Sequence, residues 1–144
     1  MSLFSAISTS ASGLAAQRVR AELLVQNLAN AETTRTEEGG PYRRKDVVFA
    51  SEGGSGFQAE LAGFAGSESP SVRVSEIVVD SRDPIERFLP GHPDADKDGY
   101  VAFPRVNPAE DMVDLMNTSR SYQANLAAIS AVKDMIVRSL DLFR

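Results

Sequence analysis

A chain of 144 residues without cysteine is long enough for one small core and cannot hold it with disulfides. The net charge is −5, and the excess acid lies in residues 46–104, which carry 11 acidic and 4 basic side chains. This balance excludes the basic surface that nucleic acid requires, and no apolar run approaches the roughly 20 residues of a membrane span. We therefore expect no nucleic-acid partner and no direct membrane span.

Helix-breaking residues are confined to the middle of the chain. All seven prolines lie between positions 41 and 108, and nine of the ten glycines lie between 39 and 99. Both ends are therefore free to be helical. The predicted fold is mainly α with a small β-rich middle (α+β), in which long N- and C-terminal helices pair as a coiled coil. The predicted segments are an N-terminal helix (1–30), a connector (31–45), a β-rich unit (46–104) and a C-terminal helix (105–144).

The N-terminal helix has a weak apolar stripe. Alanine and serine are frequent in it, so part of the stripe consists of small side chains that permit close approach. Gly13 costs about 1 kcal/mol in a helix interior and marks a bend, a tight contact or a tolerated defect. The stripe residues that we assign to helix packing are Ile7, Leu14, Ala21, Leu24 and Leu28.

The middle of the chain predicts short β-strands. Residues 46–50 and 57–64 flank a glycine-rich turn, which suggests a hairpin. In residues 72–79 the apolar positions change phase, which predicts a β-bulge near Ser75. Residues 99–103 form a last strand. So small a β unit is marginal alone, so we expect it to pack on the helices.

The C-terminal helix has a clear start, because Asn107 can cap it and Pro108 suits its first position. Apolar residues then recur at alternating spacings of three and four, which is typical of a helix with one narrow adhesive stripe. Such a stripe needs a helical partner in this chain or in another copy. Its first seam is Leu115, Tyr122, Ile129, Ile136 and Phe143; its second is Met112, Leu126 and Leu140, interrupted by Ser119 and Lys133.

One segment copies the start of a calcium-binding loop. Asp94, Asp96 and Asp98 have the spacing of its first ligands, but Arg105 stands where the closing glutamate belongs. An Asx-rich turn explains the same residues, so we assign no metal and keep the three aspartates as the alternative site. His92 is the only histidine and lies in a turn, where we expect it to be solvated. With so few nucleophiles and bases, we predict no enzyme, no cofactor and no small-molecule substrate.

A short basic run follows Tyr42 and comprises Arg43, Arg44 and Lys45. Three basic residues are too few to specify nucleic acid. A solvated strand edge explains them, and so does contact with an acidic patch on a neighbouring copy. The sequence leaves these alternatives open.

Both ends of the chain carry motifs of a known family. Residues 27–33 and 42–45, with 106–115 and 120–125, resemble the N- and C-terminal signatures of the bacterial flagellar rod, hook and filament proteins. The long connector, the segment 90–101 and the short middle are similar to the members that form the proximal rod. The motif residues in this chain are Asn27, Asn30, Thr33, Tyr42, Arg43, Asn107, Tyr122 and Asn125.

This resemblance implies a structural subunit that transmits motor torque to hook and filament. Such proteins leave the cell through the flagellar type III export apparatus without a cleaved signal peptide. They assemble helically in the periplasmic space with themselves, other rod proteins and basal-body components at the rod base. The resemblance places the terminal helices in an inner coiled-coil layer and the middle in an outer β layer. We expect the connector to contact neighbouring subunits. The alternative is a soluble helical adaptor that binds one partner through its C-terminal helix.

Overall fold

Two long terminal helices and two small antiparallel sheets make up the computed structural model, which describes residues 3–52 and 70–141. This arrangement confirms the predicted α+β fold class. No helix in these ranges is both long and apolar enough to cross a membrane. In chain order the elements are α1 (Leu3–Ala29), β1 (Lys45–Glu52), β2 (Ser71–Val79), β3 (Ile85–Phe88), β4 (Tyr100–Phe103) and α2 (Pro108–Asp141).

The two helices pack side by side and run antiparallel. Arg20 of α1 lies 3.7 Å from Asp114 near the start of α2, whereas Gly13, two turns earlier in α1, faces Asn125 further along α2. Most covered positions of α2 follow the spacings of four and three of a coiled-coil seam, with one gap of seven between Thr118 and Asn125, where Tyr122 is exposed. The buried or half-buried residues are Asp111, Asp114, Leu115, Thr118, Asn125, Ile129, Val132 and Ile136.

Gly13 marks a tight contact between the helices. A Cβ atom built on Gly13 would lie 3.0 Å from Nδ2 of Asn125, closer than nearly all real contacts of this kind. Glycine therefore lets the backbone of α1 approach the Asn125 side chain. Of the three explanations that the sequence allowed, the tight contact is the one that the structure supports.

The β1–β2 sheet lies along α1. At one end, the Thr9 hydroxyl donates to the Pro70 carbonyl at 2.6 Å and the Val72 amide donates to Oγ of Ser12 at 3.0 Å. Val48 pairs with Glu76 and the next residue, Phe49, pairs with Val74, so the residue between these partners, Ser75, is skipped. This register shift confirms the predicted bulge.

The predicted strand 57–64 lies outside the described residues. Every residue of β1 is paired with a residue of β2. The described partner of β1 therefore follows the predicted strand 57–64 in the chain.

Among the described residues of the middle segment, the β3–β4 sheet has the most buried apolar side chain. Val101 is 1% exposed, and Phe103 is buried beside it. β3 was not predicted, because its four residues, Ile85–Phe88, lack the alternation of apolar and polar residues typical of a strand. All four are exposed, and only the backbone pairing with β4 identifies this strand. The Phe88 and Tyr100 rings meet edge to face, with their centroids 5.4 Å apart, and cover the other side of this pair.

Replacing Gly13 tests the tight contact. We expect Gly13→Leu to lower the free energy of unfolding by about 1–3 kcal/mol, because the added side chain overpacks the space held by Asn125. Ala15→Leu is the matched control, because Ala15 is exposed on the same helix, and it should change stability by less than about 0.5 kcal/mol. Urea unfolding followed by circular dichroism measures both, and equal effects would refute the contact.

Candidate assembly interface

The side chain of Asn27 joins the end of α1 to the start of β1. It is 0% exposed. Its Oδ1 accepts hydrogen bonds from the Lys45 amide and the Tyr42 hydroxyl, both at 2.9 Å, while its Nδ2 donates to the Lys45 carbonyl at 2.8 Å. The amide thus meets both backbone groups of one residue, as a paired strand would. Three of its hydrogen-bonding capacities are used at one buried point.

The connector leaves α1 through a second set of local bonds. Nδ2 of Asn30 donates to the Gln26 carbonyl at 2.8 Å, and the Thr33 hydroxyl donates to Oδ1 of Asn30 at 3.2 Å. The Tyr42 amide then donates to the Thr33 carbonyl at 3.0 Å, which brings the far end of the connector back to its beginning. The family-motif residues of the N-terminal half therefore hold the connector as a closed loop.

An ion pair ties the start of α2 to this junction. Nη2 of Arg44 lies 2.8 Å from Oδ1 of Asp111, whose residue is 2% exposed. Burial, with the nearby charge of Asp111, raises the pKa of the Tyr42 hydroxyl above its usual value. Removing one member of a buried pair costs about 3–5 kcal/mol, because the other charge is left without compensation. Arg44 and Asp111 therefore fix where α2 begins relative to α1.

The cap of α2 agrees with the sequence analysis. Oδ1 of Asn107 accepts a hydrogen bond from the Ala109 amide at 3.2 Å, and Pro108 is the first helical residue. The acidic side chains of Glu110 and Asp111 lie in the first turn, where the helix dipole favours negative charge.

The structure separates the two predicted seams of α2. In the first seam, Leu115, Ile129 and Ile136 are half-buried, and Tyr122 is 41% exposed beside them. The second seam points away from α1. Its residues are Met112 at 52% exposed, Leu126 at 51% and Leu140 at 65%. The second seam therefore leaves about half or more of each apolar side chain uncovered within the described residues.

The predicted stripe of α1 is largely covered. Leu24 is buried, and the half-buried members are Ile7, Leu14, Ala21 and Leu28. Phe143, the last residue of the first α2 seam, lies outside the described residues.

The sequence analysis missed the residues that complete the covered side of α2. Asp111 and Thr118 are buried there, although an apolar pattern does not count them. They are followed by Asn125 and Val132 at the same seven-residue interval. That interval, together with the family signatures that include Asp111 and Asn125, was the signal in the sequence that could have identified them.

A groove runs between the helices beside the second seam. It has a volume of about 520 Å³ and is open on one side. Ser119, one of the two residues that interrupt the second seam, lies on the groove wall, seven residues from Met112 and seven from Leu126 along the helix. Ser119 is therefore the place at which the groove meets the second seam. The groove is lined by Gln17, Arg18, Ala21, Leu115, Thr118, Ser119 and Tyr122.

The aspartates of the calcium-like segment bind groups of the chain itself. Oδ2 of Asp94 accepts from the Thr34 hydroxyl at 2.8 Å, and Oδ1 of Asp96 accepts from the amides of Asp98 and Tyr100 at 2.9 and 2.8 Å. These bonds form the Asx-rich turn and attach the connector to it. In residues 3–52 and 70–141, no group of three His, Cys, Asp or Glu side chains could hold a metal ion.

The expectation that His92 is solvated was wrong. The residue is half-buried, and its ring lies 6.3 Å from the ring of Phe103, centroid to centroid, in an edge-to-face contact. Its Nδ1 accepts a hydrogen bond from the Asp94 amide at 3.1 Å. His92 therefore stabilises the turn that precedes β4.

Four arginines surround a small cavity at the end of the connector. We call this set the arginine cluster: Arg43, Arg44, Arg82 and Arg105. The cavity also contains Asp80, whose carboxylate accepts hydrogen bonds from the side chain and backbone of Arg82. These bonds lower the pKa of Asp80 from 3.8 to about 2. Nη1 of Arg43 donates to the Asp80 carbonyl at 3.2 Å.

Comparison with known proteins first defines a class. Residues 97–142 match the family model described as "Flagellar basal body rod FlgEFG protein C-terminal". This segment contains β4 and the whole of α2, so the match covers the helix that carries both seams.

Relatives over the full length give the particular family. The flagellar basal-body rod protein FlgC of Bacillus subtilis (strain 168) is 40% identical over 149 aligned residues, covering 99% of each chain. FlgC of Borreliella burgdorferi is 36% identical, covering 100% of this chain and 99% of its own. FlgC of Salmonella typhimurium is 36% identical, covering 99% and 98%. The chain therefore belongs to the FlgC family of flagellar basal-body rod proteins.

Family membership confirms the resemblance seen in the sequence. It also confirms that the chain is a structural protein and not an enzyme. Membership implies a location in the flagellar basal body and assembly with other rod components.

Substitutions at the buried amide test its role in the junction. Asn27→Leu should lower the free energy of unfolding by about 1–3 kcal/mol for each buried group left unpaired, because the Lys45 backbone and the Tyr42 hydroxyl lose their partner. Tyr42→Phe removes one hydrogen bond and should cost only about 1 kcal/mol. Urea unfolding of the purified variants distinguishes these effects. If Asn27→Leu cost no more than Tyr42→Phe, the amide would not be the shared partner.

Acid should weaken the contribution of Asp80 to the stability of the folded chain. Its pKa is about 2 in the folded chain and 3.8 ordinarily, so its stabilisation is complete above about pH 4 and is lost as the pH falls toward 2. Asp80→Asn should therefore melt at a lower temperature than the native chain at pH 7, and the two melting curves should converge between about pH 4 and 2. Asp83→Asn, at a nearby exposed residue, should show no such convergence. A difference in melting temperature between Asp80→Asn and the native chain that stays constant from about pH 4 to 2 would contradict this stabilising role of the Asp80 carboxylate.

Proposed function

We propose that the chain is a structural subunit of the proximal rod, which polymerises helically through its terminal helices and transmits motor torque to hook and filament. The observation that carries this proposal is the outward apolar seam of α2. Met112, Leu126 and Leu140 are each more than half exposed although α1 already packs against the same helix. A helix that binds its own partner and keeps a second apolar surface is suited to bind a neighbour.

An interface of this kind leads to a filament. The second seam and the groove lie on one side of the helix pair. The surface of α1 outside the groove consists of different residues, so a neighbour that packs there would join two unlike surfaces. A contact between unlike surfaces adds copies head to tail and produces an open helix unless the rotation closes a ring. Burying a fully exposed apolar side chain contributes about 1.5–3 kcal/mol, and covering the exposed half of one contributes roughly half of that. A few such residues per copy become substantial when the contact repeats along a tube.

The layers of this assembly follow from the division of the chain. The helices of segments 1–30 and 105–144 form the inner coiled-coil layer, the β-rich segment 46–104 forms the outer layer, and the connector 31–45 lies between them. Support comes from the packing of the β1–β2 sheet along α1, on the side bonded through Thr9 and Ser12. The predicted interface residues of α1 and α2 then serve pairing within the chain and contact between copies.

The route to this location is part of the proposal. The chain leaves the cell through the flagellar type III export apparatus, without a cleaved signal peptide, and joins the rod in the periplasmic space. Its partners are further copies, other rod proteins and basal-body components at the rod base. The signature residues at both ends of the chain and its full-length similarity to FlgC proteins support this route.

Aspartate substitutions on the two seams separate folding from assembly. Leu126→Asp should leave the unfolding of the purified chain nearly unchanged, because the side chain is exposed, and should abolish swimming by placing an unpaired charge in the interface between copies. Ile129→Asp should lower both stability and swimming, because this side chain is half-buried against α1. Motility in soft agar and thermal unfolding measure the two effects.

Leu89→Asp is the matched control for this test. Leu89 is 42% exposed and lies after β3, away from the helices, so the same chemical change should leave both stability and swimming intact. A Leu126→Asp strain that swims normally, with the variant present in its isolated basal bodies, would refute the assembly role of the second seam. A soluble adaptor would instead be absent from those basal bodies.

A further inference from the structure

The arginine cluster has more positive charge than its own chain neutralises. Arg82 is paired with Asp80, and Arg44 is paired with Asp111. Arg43 reaches only a backbone carbonyl, and Arg105 lies near the Asp80 carboxylate that Arg82 already occupies, so within the described residues neither Arg43 nor Arg105 forms an ion pair of its own. Both are exposed at the edge of a cavity of about 50 Å³. Two positive charges therefore face solvent at one place.

The tip of the connector presents the opposite charge. The Thr36 amide donates to the Gly40 carbonyl at 2.9 Å and the Gly39 amide donates to the Thr36 carbonyl at 3.0 Å, so residues 36–40 form a closed turn. Glu37 and Glu38 lie in this turn and are exposed, and neither has a cationic partner in the part of the chain that the structure describes. Two adjacent carboxylates therefore project on a turn that is closed by hydrogen bonds.

We propose that Glu37 and Glu38 of one copy dock against Arg43 and Arg105 of the arginine cluster of a neighbouring copy. The proposal rests on the proposed function, since it requires copies to lie side by side. Every copy carries both halves of the contact, two negative charges on the tip and two positive charges at the cluster. The contact can therefore repeat from copy to copy through a whole assembly.

A narrow acidic tip fits the cluster better than an extended polyanion does. Residues 46–104, which contribute Asp80 and Arg82 to the cavity wall, carry a net charge of −7, and such a background repels nucleic acid or an anionic bilayer. Two carboxylates on a short turn reach the arginines without bringing further negative charge to the surface. Contacts of this kind fix orientation and partner choice more than they raise affinity.

Engineered disulfides test the contact directly, because the native chain contains no cysteine. A variant with Glu38→Cys and Arg105→Cys is expressed beside the native chain, so that rods form in either case, and isolated basal bodies are oxidised. We expect disulfide-linked dimers of the variant on non-reducing gels. Such a bond requires Cα atoms within about 7 Å, so it reports the docking geometry. The matched control combines Glu38→Cys with Lys97→Cys, an exposed residue outside the cluster, and should give no dimer.

Two failures can be told apart in this experiment. Variant chains that are present in the basal bodies but give no disulfide, or give as much as the control pair, overturn the docking contact and leave the rod function standing. Absence of both native and variant chains from the basal bodies overturns the proposed function itself. A disulfide to a different rod protein also overturns the proposal, because the proposed partner is a second copy of this chain.

Charge reversal gives an independent test in strains that lack the native chain. Glu37→Arg with Glu38→Arg should cause loss of swimming, and so should Arg43→Glu with Arg105→Glu. Combining all four substitutions restores opposite charges and should restore swimming. Glu76→Arg with Lys97→Glu, at exposed positions outside both surfaces, is the matched control and should swim normally. Normal swimming of either reversed pair, or no recovery in the fourfold variant when its unfolding is native-like, would overturn the contact.

Discussion

The buried amide of Asn27 is the interaction on which the arrangement of the whole chain depends. Its hydrogen bonds to both backbone groups of Lys45 start β1 against the end of α1. Its bond to the Tyr42 hydroxyl closes the connector at the same point. One residue before Lys45, Arg44 is then placed to pair with Asp111 in the first turn of α2. Because a buried polar group without partners is costly, this network admits one geometry for all of these elements.

The position of Asp111 decides which side of α2 meets α1. An ordinary coiled coil buries its apolar seam, but here Leu115 and Ile129 are only half-buried. The most covered line of α2 begins with the polar side chains of Asp111 and Thr118 and becomes apolar at Val132. This choice turns Met112 and Leu126 away from the partner helix. The helix pair therefore gives up apolar burial within the chain and keeps apolar surface for another copy. In the proposed rod, that surface is covered only after assembly, so assembly stabilises the helices themselves.

Local patterns in the sequence predicted the elements, and long-range polar contacts determined how they meet. The confinement of proline and glycine to the middle predicted both helices, Asn107 predicted the start of α2, and the phase change at Ser75 predicted the bulge. No comparable pattern marks β3, whose identity depends on backbone pairing alone. An ion pair between Arg44 and Asp111 joins residues 67 positions apart, and no periodic pattern can report it.

The two kinds of exposed surface have different physical roles in the proposed rod. Apolar residues of the second seam supply association energy, but they do so in any register that covers them, because the hydrophobic effect has no direction. A charged contact adds little net energy at a surface, yet it disfavours every register that brings like charges together. Since the chain pairs Arg82 and Arg44 internally, Arg43 and Arg105 are the members of the arginine cluster that remain to discriminate between registers in the proposed contact. The network around Asn27 also holds the connector that carries the acidic tip, so the same buried amide that orients the apolar seam sets where the charges lie relative to it.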